Sequence, residues 1–90
     1  DLVANGFPLT GGRLDYLAGR TVAALVYHHN KHPINLFVWP NSGGQGAASP
    51  HCQQRAGYHV CNWSSQSMIY WAVSDLNETE LNQFARYWLD

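Results

Sequence analysis

Charge is what this chain has least of. Lys, Arg, Asp and Glu make up 12% of its 90 residues, about half of the roughly 25% found in an average soluble domain. The five Lys and Arg residues stand singly, and the formal net charge is -1. There is accordingly no basic stripe for a phosphate backbone and no polybasic anchor for lipid headgroups, which argues against direct nucleic-acid binding. No apolar run approaches the ~20 residues that cross a bilayer as a helix, and no signal peptide opens the chain, so the piece as given reads as soluble. Catalytic patterns are missing too. No Ser or Cys nucleophile stands beside a His and an acid in a family spacing, and there are no paired carboxylates. Gly43-Gly44-Gln45-Gly46 lacks the preceding strand and following helix that a phosphate cradle needs, so it reads as loop and the chain as non-enzymatic.

What is present in quantity is aromatic: 13% of residues are Phe, Trp or Tyr, four of them Trp. Ninety residues make one domain with a modest core. A small domain with few charges and many aromatics must leave apolar or uncharged polar surface exposed, which suggests a partner. Apolar runs rich in Val, Leu, Ile and aromatics, broken by turn signals, predict five strands near residues 10–17, 20–29, 33–39, 57–63 and 68–74. Short connections favour hairpins, so the prediction is a five-stranded, mostly antiparallel meander in an α+β domain. The stretch from Asn41 to Pro50, rich in Gly, Ser and Ala, reads as a loop. Residues Asp1 to Gly6 read as the tail of a truncated helix that stops at Asn5-Gly6 ahead of Pro8.

The C-terminal segment carries independent helix signals. Asn77 can cap, Glu80 stands three residues on as in a capping box, and Leu76 can staple against Leu81. Leu81, Phe84, Ala85, Trp88 and Leu89 then recur on one face, predicting a helix from Glu78 to Leu89 packed on one face of the sheet. The strands offer more apolar surface than one helix covers. Val22, Ala24 and Val26 oppose Ala23, Leu25 and Tyr27; Ile34, Leu36 and Val38 oppose Phe37 and Trp39; Met68, Tyr70 and Ala72 oppose Ile69, Trp71 and Val73. Leu14, Val22, Ala24, Val26, Leu36, Val38 and Tyr70 are expected in the core. Trp39, Trp63 and Trp71 are expected to leave aromatic surface for self-association or a second protein partner.

The soft and borderline metal ligands form two groups. If Asn30-Lys31 is a two-residue turn, His29 and His32 become a cross-strand pair with Cβ atoms about 4.5–5.5 Å apart, while His28 points to the other face. In the fourth predicted strand His59 and Cys61 alternate onto one face, and His51-Cys52 lies in the preceding loop. A set drawn from His29, His32, His51, Cys52, His59 and Cys61 suits Cu or Zn, although its spacing matches no finger or ribbon. Cys52 and Cys61 could instead form a disulfide, worth about 2–3 kcal/mol for so short a closed loop, and that pairing would exclude a tight thiolate site. Arg13 and Asp15 alternate onto one face of the first strand as surface charges.

Three segments then point to a family. Gly11-Gly12-Arg13-Leu14-Asp15-Tyr16-Leu17, the run Ile34 to Pro40 (INLFVWP), and Tyr70 to Asn77 (YWAVSDLN) followed by a final helix resemble the C-terminal extracytoplasmic domain of bacterial membrane-spanning anti-sigma factors. The likeness covers roughly Phe7 to Leu89. It implies a single regulatory domain, residues 1–90, in the periplasm. A membrane helix in the inner membrane and a cytoplasmic sigma-binding region would precede Asp1. It further implies control of an alternative sigma factor in response to an envelope signal, with contact to the sigma factor made through the cytoplasmic region and with an envelope protein as the second partner of the exposed tryptophans. A metal-binding or redox-sensing periplasmic domain using the His and Cys ligands is the alternative. The disulfide fits the oxidising compartment that the family implies.

Overall fold

The computed structural model describes residues 2–17, 19–42, 47–65 and 67–88. Its strands are β1 (Leu9–Leu17), β2 (Arg20–His29), β3 (His32–Pro40), β4 (Ala48–Arg55), β5 (Tyr58–Ser64) and β6 (Met68–Ser74), followed by helix α1 (Glu78–Arg86). They form one sheet in the order β1-β2-β3-β6-β5-β4, and every neighbouring pair is antiparallel. Antiparallel α+β architecture is therefore present, but with six strands rather than five. The order is also that of two three-stranded meanders joined edge to edge through β3 and β6, not of a single meander.

The extra strand is β4, whose first residues, Ala48 to Pro50, fall in the stretch read as loop. Its sequence, ASPHCQQR, has no apolar alternation to announce it. It forms because it lies at an edge, where pairing to β5 alone is enough and where Pro50 withholds no needed donor. Its register with β5 shifts between Ala48 and His51, around that proline.

The hairpin turns follow backbone chemistry. Asn30 (φ 49°) and Lys31 (φ 72°) are both left-handed, as are Ala56 (φ 50°) and Gly57 (φ 85°). Two consecutive left-handed residues define the turn whose twist matches that of the flanking strands. At the N-terminus a single 3-10 turn, Val3–Asn5, stands where the tail of a helix was expected. Gly6 closes it at φ 86° by donating its N–H to the Val3 carbonyl. Phe7 then anchors the segment, fully buried against His29, Phe84 and Tyr87.

Helix α1 begins as its sequence predicts. The Glu80 N–H donates to Asn77 Oδ1 (2.8 Å), the Asn77 amide donates back to Glu80 Oε1 (2.9 Å), and Leu76 and Leu81 are both buried. It ends at Arg86, three residues short of the expected Leu89, which lies outside the described residues; Tyr87 and Trp88 turn off with tighter i-to-i−3 bonds to Phe84 and Ala85. Leu81, Phe84 and Ala85 face Ile34, Leu36, Cys61 and Ala72 in the core, with Trp88 packed alongside.

The helix lies across β4, β5 and β6, and this sidedness corrects the expected core. Leu36 and Val38 are buried beneath it and Tyr70 is half-buried there. Leu14 is 76% exposed, because β1 lies beyond the helix's reach. Val22 and Ala24 are buried but belong to the other face, where Val26 is half-buried. On β2 it is Tyr27, of the opposite set, that enters the helix-side core, between Phe84 and Trp88. Burial there raises the pKa of the Tyr27 hydroxyl.

The turn geometry gives a first test. Ala56 is the one alanine among the described residues held left-handed, and asparagine tolerates that conformation better. Ala56→Asn should raise stability by about 0.5–1 kcal/mol. Urea melts of the two proteins would show it, and a loss of stability would contradict the turn assignment.

Candidate functional site: the uncovered sheet face

Register decides which side chains meet on each side of the sheet, since directly opposite residues share a face. Across β3 and β6, Phe37 lies opposite Trp71, Trp39 opposite Ile69, and Asn35 opposite Val73. Across β5 and β6, Asn62 lies opposite Trp71 and Val60 opposite Val73; His51 of β4 lies opposite Asn62. All of these point away from α1. Val22, Ala24 and Val26 extend the same surface across β2. Among the described residues no helix or strand packs over it.

The result is an aromatic platform in the middle of the sheet, with Phe37, Trp39, Ile69 and Trp71 each half-buried. A groove of about 330 Å³ runs along one end of it, between Trp39, Ile69 and Trp71 on one side and Ser49, His51 and Asn62 on the other. Charges stand only toward the margins. Arg13 and Asp15 are on β1, paired with each other at 3.2 Å, and Arg55 is on β4. Such a surface is suited to apolar and π contact, with the Asn62 amide and the His51 ring as polar groups at the groove.

Of the three tryptophans expected here, two belong to the site. Trp63 borders the groove, but its ring does not join the platform: it pairs with Tyr70 on the helix side, stacks on that ring at 5.2 Å with the planes 5° apart, and is 2% exposed. Alternation in β5 sends its indole to the face of Cys61. The sequence reading passed over Phe37, Ile69 and Asn62 as site residues. Their parity with Trp39 and Trp71 was visible, but the β3–β6 neighbourhood that unites them was not.

No protein-family model, no curated protein and no solved structure matches the chain.

The histidines and cysteines are distributed as follows. His29 and His32 do face each other across the β2–β3 turn. Each is turned to its own acid: His29 Nε2 lies 3.0 Å from Glu80 Oε2, with Nδ1 2.8 Å from the Gly6 carbonyl, and His32 Nδ1 lies 2.9 Å from Asp75 Oδ1. His59 donates from Nδ1 to the Leu76 carbonyl at 2.8 Å. One histidine from each of β2, β3 and β5 thus grips the stretch from Asp75 to Glu80, where β6 turns into α1. His51 is exposed on the opposite face, next to the aromatic groove. Cys52 and Cys61 are opposite each other on β4 and β5 and joined by a disulfide, so neither presents a thiolate. Among the described residues no group of three His, Cys, Asp or Glu side chains converges as a metal site. Asp75 and Glu80, the partners of His32 and His29, were passed over in the sequence reading because they lie more than forty residues away along the chain.

The disulfide closes a short loop, nine residues in sequence separation, and joins the edge strand to a buried position beneath α1. Replacing both cysteines by alanine should cost about 2–3 kcal/mol, chiefly by freeing the unfolded chain. Thermal or urea melts of the double variant beside the oxidised protein measure it. Equal midpoints would show that the bridge adds nothing to the β4–β5 hairpin.

Proposed function

We propose that this chain is a non-enzymatic interaction module: the periplasmic domain of a bacterial anti-sigma factor held in the inner membrane. A membrane helix and a cytoplasmic sigma-binding region would precede Asp1, and the domain relays an envelope signal that governs the sigma factor. The observation that carries the binding role is the uncovered platform of Phe37, Trp39, Ile69 and Trp71 on a sheet whose other face holds the helix and the core. The three segments from Gly11 to Leu17, Ile34 to Pro40 and Tyr70 to Asn77 supply the family reading. The Cys52–Cys61 bridge fits an oxidising compartment.

Physically, a domain just outside the membrane can act on a cytoplasmic partner if the signal binds one state of the domain better than another. An aromatic platform on β3 and β6 is well placed for this. Those two strands form the seam between the halves of the sheet, so a partner that covers the platform favours the closed seam.

The test is a reporter gene transcribed by the cognate sigma factor in cells carrying the full-length protein. Trp39→Ala with Trp71→Ala should change the induced response while the protein still accumulates in the membrane. Identical basal and induced expression with and without the whole domain would overturn the regulatory role. Fusion of a reporter enzyme active only outside the cytoplasm to the C-terminus would check the topology independently.

A metal- or redox-responsive input is a second reading, supported by a disulfide whose reduction would free Cys52 and Cys61 on the same face of the sheet as His59. Reduced protein titrated with Cu or Zn salts should then show a rise in melting temperature that His59→Ala abolishes. The absence of any shift in the reduced protein would leave the aromatic face as the input surface.

A further inference from the structure

The two edges of the sheet differ. β4 carries Pro50, which has no N–H to offer, and its register slips beside that residue; both features blunt an edge against pairing. β1 contains no proline; its register with β2 shifts near its start, between Leu9 and Gly11, and runs unbroken from Gly11 to Leu17. Leu14 and Tyr16, on its helix-side face, are 76% and 71% exposed and are the most exposed large apolar side chains of those described. An open strand of this kind is a template for another strand.

Charges on an edge strand ordinarily forbid pairing with a second copy. Here the two charges are Arg13 and Asp15, of opposite sign and two residues apart, so that they complement their own image. We propose that β1 pairs antiparallel with β1 of a second copy about a two-fold axis at Leu14, joining two six-stranded sheets into one continuous sheet.

The register follows from elementary constraints. In a continuous sheet directly opposite residues share a face, so the axis must pass through a residue position. An axis at Arg13 sets that guanidinium against itself, and one at Asp15 sets carboxylate against carboxylate. At Gly12 or Tyr16 neither charge meets an opposite one. At Leu14, Arg13 lies opposite Asp15 of the second copy, twice. With the Arg13–Asp15 contact inside each strand, at 3.2 Å, the four groups close a ring of alternating charge.

Leu14 is also the midpoint of the unbroken stretch Gly11–Leu17, so the register chosen by charge gives that stretch its longest ladder. On the other face it places Leu14 against Leu14 and each Tyr16 over Gly12 of the second copy. A Cβ at Gly12 would lie 3.1 Å from Leu25 Cδ2. The glycine thus lets Leu25 lie close to the backbone there, and an aromatic ring from across the strand can cover both. Because the axis is perpendicular to the sheet, both copies of α1 end on the same side. None of this depends on the regulatory role proposed above.

Sedimentation equilibrium of the purified protein from micromolar to millimolar concentration tests the pairing. The protein should dimerise with rising concentration. Arg13→Asp and Asp15→Arg should each weaken the dimer by at least about tenfold, since like charges then face each other across the axis. The double exchange Arg13→Asp/Asp15→Arg restores the ring with its signs reversed and should return the dissociation constant to within about threefold of the original. Both residues are at the surface, and circular dichroism of each variant confirms that the fold is kept. A monomer throughout that range would overturn the proposal. So would a dimer indifferent to both single reversals, which would assign association to another surface such as the aromatic platform.

Discussion

The ladder between β3 and β6 is the constraint on which the rest of the structure depends. Each half of the sheet, β1-β2-β3 and β4-β5-β6, is a run of hairpins that local turns can build, but neither half holds the whole core cluster, which takes Tyr27, Ile34, Leu36 and Val38 from the first and Cys61, Trp63 and Ala72 from the second. A core appears when Ile34, Leu36 and Val38 of β3 come beside Ser74, Ala72 and Tyr70 of β6 and α1 closes over them. Ala72 is small enough to let the helix approach the backbone at the seam. Ser74 sets the end of the ladder: its hydroxyl donates to the Pro33 carbonyl at 2.7 Å and accepts the Leu76 N–H at 3.1 Å. One buried side chain thereby fixes both the register of the seam and the point at which the chain leaves it for the helix. The cost of bringing these distant segments together falls on this one pairing, as expected for a sheet dominated by non-local contacts.

The helix in turn is held at its start as well as along its buried stripe. His32, His59 and His29 reach Asp75, the Leu76 carbonyl and Glu80 in succession, and Glu80 also completes the cap with Asn77. A nine-residue helix is too short to be stable by itself, so its position must come from such ties and from the buried stripe of Leu81, Phe84 and Ala85. The same side chains that invited a metal reading in the sequence act here as anchors for the turn between sheet and helix. Phe7, stacked on His29 at 4.5 Å and touching Phe84, ties the N-terminal segment into the same corner.

Features governed by neighbouring residues were legible in the sequence, and those governed by distant pairings were not. The Asn30-Lys31 turn, the Asn77 to Glu80 cap and the Leu81, Phe84, Ala85 stripe each follow from a few adjacent residues, and the structure contains all three. β4 was missed because ASPHCQQR has no periodic apolar signal; its strand character is conferred by β5. Leu14 was placed in the core because alternation gives the parity of a side chain but not whether anything lies above it. The candidate site divides in the same way. Trp39 and Trp71 could be read as outward-facing on their own strands, whereas the meeting of Phe37 with Trp71, and of Trp63 with Tyr70 on the other side, required the order of the strands.

One-sided cover gives the two faces of the sheet different work. The disulfide, the histidine ties, the cap and the main core cluster lie on the helix side, while the opposite face buries Val22 and Ala24. On the opposite face Phe37, Trp39, Ile69 and Trp71 are only half-buried and present aromatic surface. Both faces are nonetheless made by the same backbone. A partner that settles on Trp39 and Trp71 touches the outer side of the ladder whose inner side holds Leu36 and Ala72. Binding there stabilises the seam by as much as the partner prefers the closed sheet to a frayed one. Under the regulatory role proposed above, occupancy of the open face would be felt as the firmness with which α1 and its anchoring turn are held, without any change of fold.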